Sequence, residues 1–301
     1  MNSRARNVAP HRRALANALA ACALTVACAL TLTACAETDS AHAAGVSGGS
    51  AATAPASAPR LLPKGATPDY QLGGAYKPAA GVGIVGRDRS DPPATGVYSI
   101  CYVNGFQTQP GELKSWPKSL LLQRGGKPVY DPARPDEVIL DTSTATSRSG
   151  ILKRVKPWIE DCARAGYDAV EFDNLDTFER SHGALKQSHN AALAKSFVQV
   201  AHQAGLAAGQ KNAPAYAASL KKSAGFDFAV AESCGAYNEC GFYTKTYGSQ
   251  VIDVEYPEGL KDAGTTFAKV CKAQGKPKWM VLRDRDLTTP GLKGYRFQKC
   301  Q

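Results

Sequence analysis

The chain has 301 residues, 44% hydrophobic and 21% charged, with 36 Lys and Arg against 26 Asp and Glu. That apolar fraction supports a substantial core and excludes a mostly disordered chain, and a single long apolar run excludes a multi-span membrane protein. The formal charge of +10 includes Arg4, Arg6, Arg12 and Arg13 in the first 34 residues, which hold no acid, so the remainder carries +6 (10 − 4). Its Lys and Arg are spread without a basic stripe, and no nucleic-acid partner is expected.

In chain order, the four arginines precede an apolar run from Ala14 to Ala34 that ends Leu32-Thr33-Ala34-Cys35. A basic start, an apolar middle and small residues at the cut describe an export signal over residues 1–34. Leu-Thr-Ala-Cys looks like a bacterial lipobox, which predicts lipidation of Cys35 and a membrane held through that anchor. An uncleaved membrane anchor is the alternative that the length allows. The Arg12-Arg13 pair fits twin-arginine export poorly. Residues 35–65 are rich in Ala, Ser, Gly and Pro and read as a flexible linker with a reach of about 30 Å. Gly45-Val46-Ser47-Gly48-Gly49 within it matches the serine-hydrolase elbow formally, but no strand precedes it and no helix follows.

Residues 66–301 have the length of one (β/α)8 barrel. Leu152, Val155, Trp158, Ile159 and Cys162 recur at helical spacing, Gly166 stops the helix, and a strand follows. Leu193, Phe197, Val200, Ala201 and Ala204 repeat the pattern before Gly205, and Leu220–Ala224 does so before Gly225. Pro157 predicts a kink or a later start in the first of these helices. Extended outward, the rhythm predicts strands at 69–76, 97–106, 137–142, 167–173, 206–212, 227–233, 250–256 and 279–284. Eight strand–helix units favour a closed TIM barrel, with an open doubly wound sheet as the alternative. Gly81-Val82-Gly83 lacks the third glycine of a dinucleotide fingerprint, and no cofactor is expected.

Polar residues collect at the predicted strand ends: Asn104, Asp141, Asp173 with Asn174 and Asp176, Lys211 with Asn212, Glu232, Glu255, and Arg283 with Asp284. In such barrels these ends form the active face. Alternation places Glu171 and Asp173 on one face of their strand, with Val170 and Phe172 on the other. The histidines show no metal-ligand spacing: His202 falls on a helix surface and His182 in a solvated loop, so no metal is expected. Several carboxylates without a thiol or serine relay point to acetal cleavage, in which one acid protonates the leaving oxygen and another attacks or activates water.

Five blocks in order make this specific: Ile100-Cys101-Tyr102-Val103-Asn104, Val170-Glu171-Phe172-Asp173-Asn174-Leu175-Asp176, Gln210-Lys211-Asn212, Ala231-Glu232-Ser233-Cys234 with Tyr237-Asn238-Glu239-Cys240, and Val254-Glu255-Tyr256. From about residue 69 onward the chain resembles glycoside hydrolase family 114, the endo-α-1,4-polygalactosaminidases, whose domain is a TIM barrel. The resemblance implies Asp173 and Glu232 as the catalytic pair and a galactosamine-containing polysaccharide as substrate. As the fourth and sixth strand ends, the two would have backbones about 10 Å apart, which fits either a retaining or an inverting outcome. Glu232 is expected to be the acid, with a raised pKa, and Asp173 the nucleophile or base, with Glu255 in reserve for the acid role. Asn104, Asp141, Glu171, Asn174, Asp176, Lys211, Asn212 and Glu255 would orient the sugar, with Tyr102, Tyr237 and Tyr256 as stacking platforms. Two alternatives are a polysaccharide-binding lipoprotein on the same barrel and a barrel hydrolase of another glycan.

Cys22 and Cys28 belong to the signal, which leaves six cysteines in an exported domain. Cys234–Cys240 and Cys271–Cys300 are the favoured disulfides; Cys101 and Cys162 either pair by elimination or stay as buried thiols.

Overall fold

A computed structural model describes residues 58–300. The predicted signal, Cys35 and most of the predicted linker lie outside these residues. Strands β1 (Thr67–Tyr70), β2 (Val82–Asp88) and β3 (Tyr98–Asn104) follow one another with no helix between them. Next comes an excursion holding two small hairpins, β4 (Gln123–Arg124) with β5 (Lys127–Pro128), and β6 (Tyr130–Asp131) with β7 (Arg134–Val138). Helix α1 (Ala145–Ala165) leads to β8 (Ala169–Asp173), then α2 (Thr177–Arg180), α3 (Gln187–Gln203), β9 (Ala207–Lys211) and α4 (Ala217–Ala224). The chain continues through β10 (Phe228–Glu232), α5 (Cys240–Tyr247), β11 (Val251–Glu255), α6 (Pro257–Asp262), α7 (Phe267–Val270), β12 (Trp279–Arg283) and β13 (Phe297–Lys299).

The main sheet runs β1-β2-β3-β8-β9-β10-β11-β12-β13. Its first eight strands are parallel, and β13 pairs antiparallel with β12. Arg283 at the end of β12 reaches across to β1, where Nη1 donates to Asp69 Oδ1 at 2.6 Å and to the Tyr70 carbonyl. The result is a nearly closed (β/α)8-type barrel rather than an open sheet. Alternation builds its layers. Tyr98, Ile100, Phe228, Val230, Ile252, Val254 and Val281 fill the interior. Val103, Val170, Phe172 and Ala231 face outward onto Ile151, Val155, Phe197 and Leu220 of the helices. Phe172 stacks on Phe197 at 5.2 Å between centroids, a pair contributing about 1 kcal/mol beyond its burial.

Gly166 and Gly225 close α1 and α4 in the left-handed conformation (φ 93° and 91°), the caps that the sequence predicts. Helix α1 runs through Pro157 without the later start expected. The eight predicted strands include one wrong member. Residues 137–142 are not a barrel strand: β7 pairs with β6, and Ile139 and Leu140 only bridge to Gln107 and Leu121. Their place is taken by β2. An apolar run such as Val138-Ile139-Leu140 is buried either way, so its composition could not say which sheet receives it.

The last residues of the predicted linker are not free. Leu62 is buried and its N–H donates to Gln250 Oε1 at 2.9 Å. Arg60 pairs with Asp168 at 2.5 Å, and the Tyr98 hydroxyl donates to the Arg60 carbonyl at 2.6 Å. Tyr98, Asp168 and Gln250 sit at the N-terminal ends of β3, β8 and β11, so this segment is tied to the barrel floor. All three disulfides are present: Cys101–Cys162 joins β3 to α1, Cys234–Cys240 closes the loop after β10, and Cys271–Cys300 ties the C-terminal strand to the end of α7. His202 is half-buried against Asp227, its Nε2 2.8 Å from Oδ2, rather than on a free helix surface.

Candidate active site

Four inward-facing strand ends converge at the C-terminal mouth: Asn104 of β3, Asp173 of β8, Lys211 of β9 and Glu232 of β10. The Lys211 ammonium stands 3.3 Å from Asp173 Oδ2 and 3.3 Å from Glu232 Oε2, so one cation bridges both predicted catalytic carboxylates. The Lys211 side chain is 2% exposed, whereas those of Asp173 and Glu232 are 15% and 18% exposed. The acids therefore meet solvent while the lysine lies beneath them.

Three consecutive strands end in the same way. Asn174, Asn212 and Ser233, each directly after one of these residues, adopt positive φ of 66°, 51° and 59°. Asparagine is among the few side chains that take this conformation readily. The tight turns fold both asparagines back on the site. The Asn174 N–H donates to Asp173 Oδ1 at 2.7 Å, and its Nδ2 donates to Asn104 Oδ1 at 3.0 Å. Asn212 Nδ2 donates to Glu232 Oε2 at 3.0 Å, and its Oδ1 accepts the Glu232 N–H at 2.9 Å. Asn212 thus clamps the glutamate, a use of its side chain that the sugar-contact expectation did not include.

Tyr102 and Tyr256 serve the acids directly. The Tyr102 hydroxyl donates to Asp173 Oδ2 at 2.9 Å, and that of Tyr256 to Glu232 Oε1 at 2.5 Å. Arg285 lies over the Tyr256 ring at 4.0 Å from its centroid. Burial by itself would raise the pKa of Glu232. Lys211, the two hydrogen bonds from Tyr256 and Asn212, and the charge of Arg285 overcome it and hold the carboxyl below the usual range. The raised value expected for an acid is therefore reversed.

Glu171 shares the inward face with Asp173, as alternation predicts, but it is fully buried below the mouth. It accepts a short hydrogen bond from Tyr70, and burial pushes its carboxyl up to about 7 against the pull of Lys211. A sugar cannot reach it. Glu255 is also misplaced by the sequence reading. Val254 and Tyr256 face the barrel interior, so Glu255 and Asp253 face outward under the disulfide loop. Glu255 Oε1 accepts from the N–H groups of Gly235 and Ala236 at 2.7 and 3.2 Å, which makes it a loop support and not a reserve acid. Asp253 Oδ1 holds the Cys234 N–H at 3.1 Å, and burial beside Glu255 drives its pKa well up. The close group Cys234, Cys240 and Asp253 offers no metal site, because both sulfurs are in the disulfide.

Asp141 stays outside the cluster: its Oδ1 accepts from the Ser143 N–H at 2.9 Å in the turn before α1. Asp176 pairs with Arg180 at 2.8 Å. Tyr237 is exposed on the disulfide loop, where a platform can stand. The sequence reading missed Glu137, which accepts from Asn104 Nδ2 at 3.0 Å and is raised to about 8 by burial. It missed Arg180 as well, which holds Asp131 of the excursion at 2.6 Å and Asn174 at 3.2 Å, binding the excursion to the loop after β8.

Two partly exposed carboxylates thus flank one buried cation at the mouth of the barrel. Among solved structures, the chain is similar to Aspergillus fumigatus Ega3 in complex with galactosamine, with 19% identity, a TM-score of 0.60, and coverage of 81% of this chain and 97% of that one. A variant of the glycoside hydrolase domain of PelA from Pseudomonas aeruginosa gives 15% identity, a TM-score of 0.51, and coverage of 76% and 99%. At these identities the likeness speaks to the fold. No curated protein sequence matches the chain. The sequence profile of glycoside hydrolase family GH114 matches residues 49–301, and the chain belongs to that family.

Proposed function

We propose that the protein is an exported hydrolase of α-1,4-linked, galactosamine-containing polysaccharide, working through Asp173 and Glu232. The observation that carries this reading is the placement of both carboxylates on one ammonium. Two 3.3 Å contacts to a single nitrogen put the nearest oxygens at most about 6.6 Å apart, their sum. That limit suits the separation of about 5–5.5 Å in retaining enzymes and touches only the lower edge of the inverting range. In the retaining course, the Glu232 carboxyl gives its proton to the glycosidic oxygen as the bond to C1 breaks, and Asp173 bonds to C1. Water then attacks C1, gives its proton to the Glu232 carboxylate, and Asp173 leaves.

Lys211, Tyr256 and Asn212 stabilise the ionised Glu232 that the second half of this cycle needs as its base. Glu232 takes up its proton as substrate fills the mouth. Galactosamine as the sugar is supported by the family and by the galactosamine complex of Ega3. An amino sugar carries a cation, which the partly exposed carboxylates at the mouth favour.

The test is oligosaccharide release from partly deacetylated α-1,4-galactosaminogalactan by the wild-type chain, with Glu232→Gln and Asp173→Asn alongside. Release by wild type and loss of at least 1,000-fold in either variant, with unchanged circular dichroism, is the expected outcome. Folded wild type that releases nothing while binding the polymer overturns hydrolysis in favour of a glycan-binding protein. Lipidation is tested by Cys35→Ala, which should abolish incorporation of a labelled fatty acid that the wild-type chain takes up. Among the described residues no helix is long and apolar enough to cross a membrane.

A further inference from the structure

Beneath the mouth, three acids share one counter-ion. Glu171 lies two residues before Asp173 on the same inward face of β8, opposite Tyr102 on β3 and Gly209 on β9. Its Oε1 accepts from the Tyr70 hydroxyl of β1, while its Oε2 is buried with no hydrogen-bond partner. Lys211 of β9 is within electrostatic reach of Glu171, Asp173 and Glu232 alike. Its ammonium also sits 5.3 Å from the Tyr70 ring centroid and 5.4 Å from that of Tyr102, so Tyr70 touches Glu171 with its hydroxyl and Lys211 with its face. Of the other charged groups nearby, Arg283 of β12 is committed to Asp69 and the Tyr70 carbonyl, while Glu137 of β7, held by Asn104 on the Asp173 side and interacting with Arg134, is itself raised to about 8 by burial. Arg285 and Tyr256 serve Glu232.

With all three acids ionised, this pocket would hold three negative charges against one positive charge, with Glu171 fully shielded from water. One proton must therefore reside among them near neutrality. We propose that Glu171 is a positioning residue: by competing with Glu232 for the Lys211 ammonium, it sets the pH above which the site can no longer supply an acid. Resting on the assignment of Glu232 as that acid, the inference follows from where the shared proton goes. It stays on Glu171, whose carboxyl burial pushes up to about 7, because Glu232 is better paired. Above that pH the proton is lost from the cluster altogether.

The experiment is the pH dependence of kcat/KM on polygalactosamine for the full chain, comparing wild type, Glu171→Gln and Tyr70→Phe. The amines of the substrate titrate identically in all three, so differences between profiles belong to the protein. Glu171→Gln removes the reservoir and should move the alkaline limb down by one pH unit or more, which is at least a tenfold loss at pH 8. Tyr70→Phe removes the donor that favours ionised Glu171, and should move the same limb upward while lowering its plateau. A folded Glu171→Gln protein whose limb coincides with wild type overturns the inference. Should that variant not fold, an unmoved limb in Tyr70→Phe overturns it equally. Glu232→Gln run at every pH separates the two claims: activity there removes the acid assignment and this inference with it, whereas inactivity with an unmoved Glu171→Gln limb removes this inference alone.

Discussion

Replacing Lys211 by Met would leave Asp173 and Glu232 facing each other at the mouth without the buried ammonium between them. Breaking a buried pair in this way costs about 3–5 kcal/mol, and the cost here falls on both acids. We expect a lower melting temperature at pH 7 by calorimetry and a loss of kcat/KM of at least 100-fold. Glu171 makes the opposite stability prediction. Its folded-state pKa of about 7 exceeds an unfolded value near 4.3, so below about pH 4 both states are protonated and the group is neutral to folding. As pH rises through that window the unfolded chain ionises first and stability is lost, by about 4 kcal/mol once pH passes 7. Glu171→Gln should therefore melt above wild type at pH 8 and together with it at pH 4. Equal melting at both pH values would show that Glu171 is not held protonated.

The loop after β10 depends on a carboxylate from the neighbouring strand. Glu255→Ala would strand the N–H groups of Gly235 and Ala236, a cost of about 1–3 kcal/mol measurable by urea unfolding, and the disulfide would keep the altered loop from leaving. The lower half of the barrel, from β8 to β12, was legible because glycine-stopped helices alternate with short apolar strands there. That rhythm is missing before β3, where β1, β2 and β3 are joined by turns alone, and β2 was passed over as a failed glycine motif. Asp173, Lys211 and Glu232 could be read from strand ends because each is the last inward position. Glu255 and Tyr256 could not both face the mouth, since adjacent residues on a strand point to opposite sides; the end of a strand is a weaker guide than its alternation. Glu137, Arg180 and Tyr70 enter the site through tertiary approach of the excursion and of β1, which no local pattern records.

At the scale of the molecule, three disulfides among the described residues secure the barrel. Cys101–Cys162 closes the longest loop, with a separation of 61 residues, for which chain entropy gives about 4 kcal/mol. The double variant Cys101→Ser with Cys162→Ser should therefore lose more thermal stability than the corresponding variant at Cys234 and Cys240, six residues apart, while the latter should cost more activity because it frees the loop beside Glu232. The segment around Leu62 enters the barrel at its floor, through Arg60, Asp168 and Gln250, and the acids open at its roof. The height of the barrel therefore separates this tie from the acids, and the two do not compete for the same face.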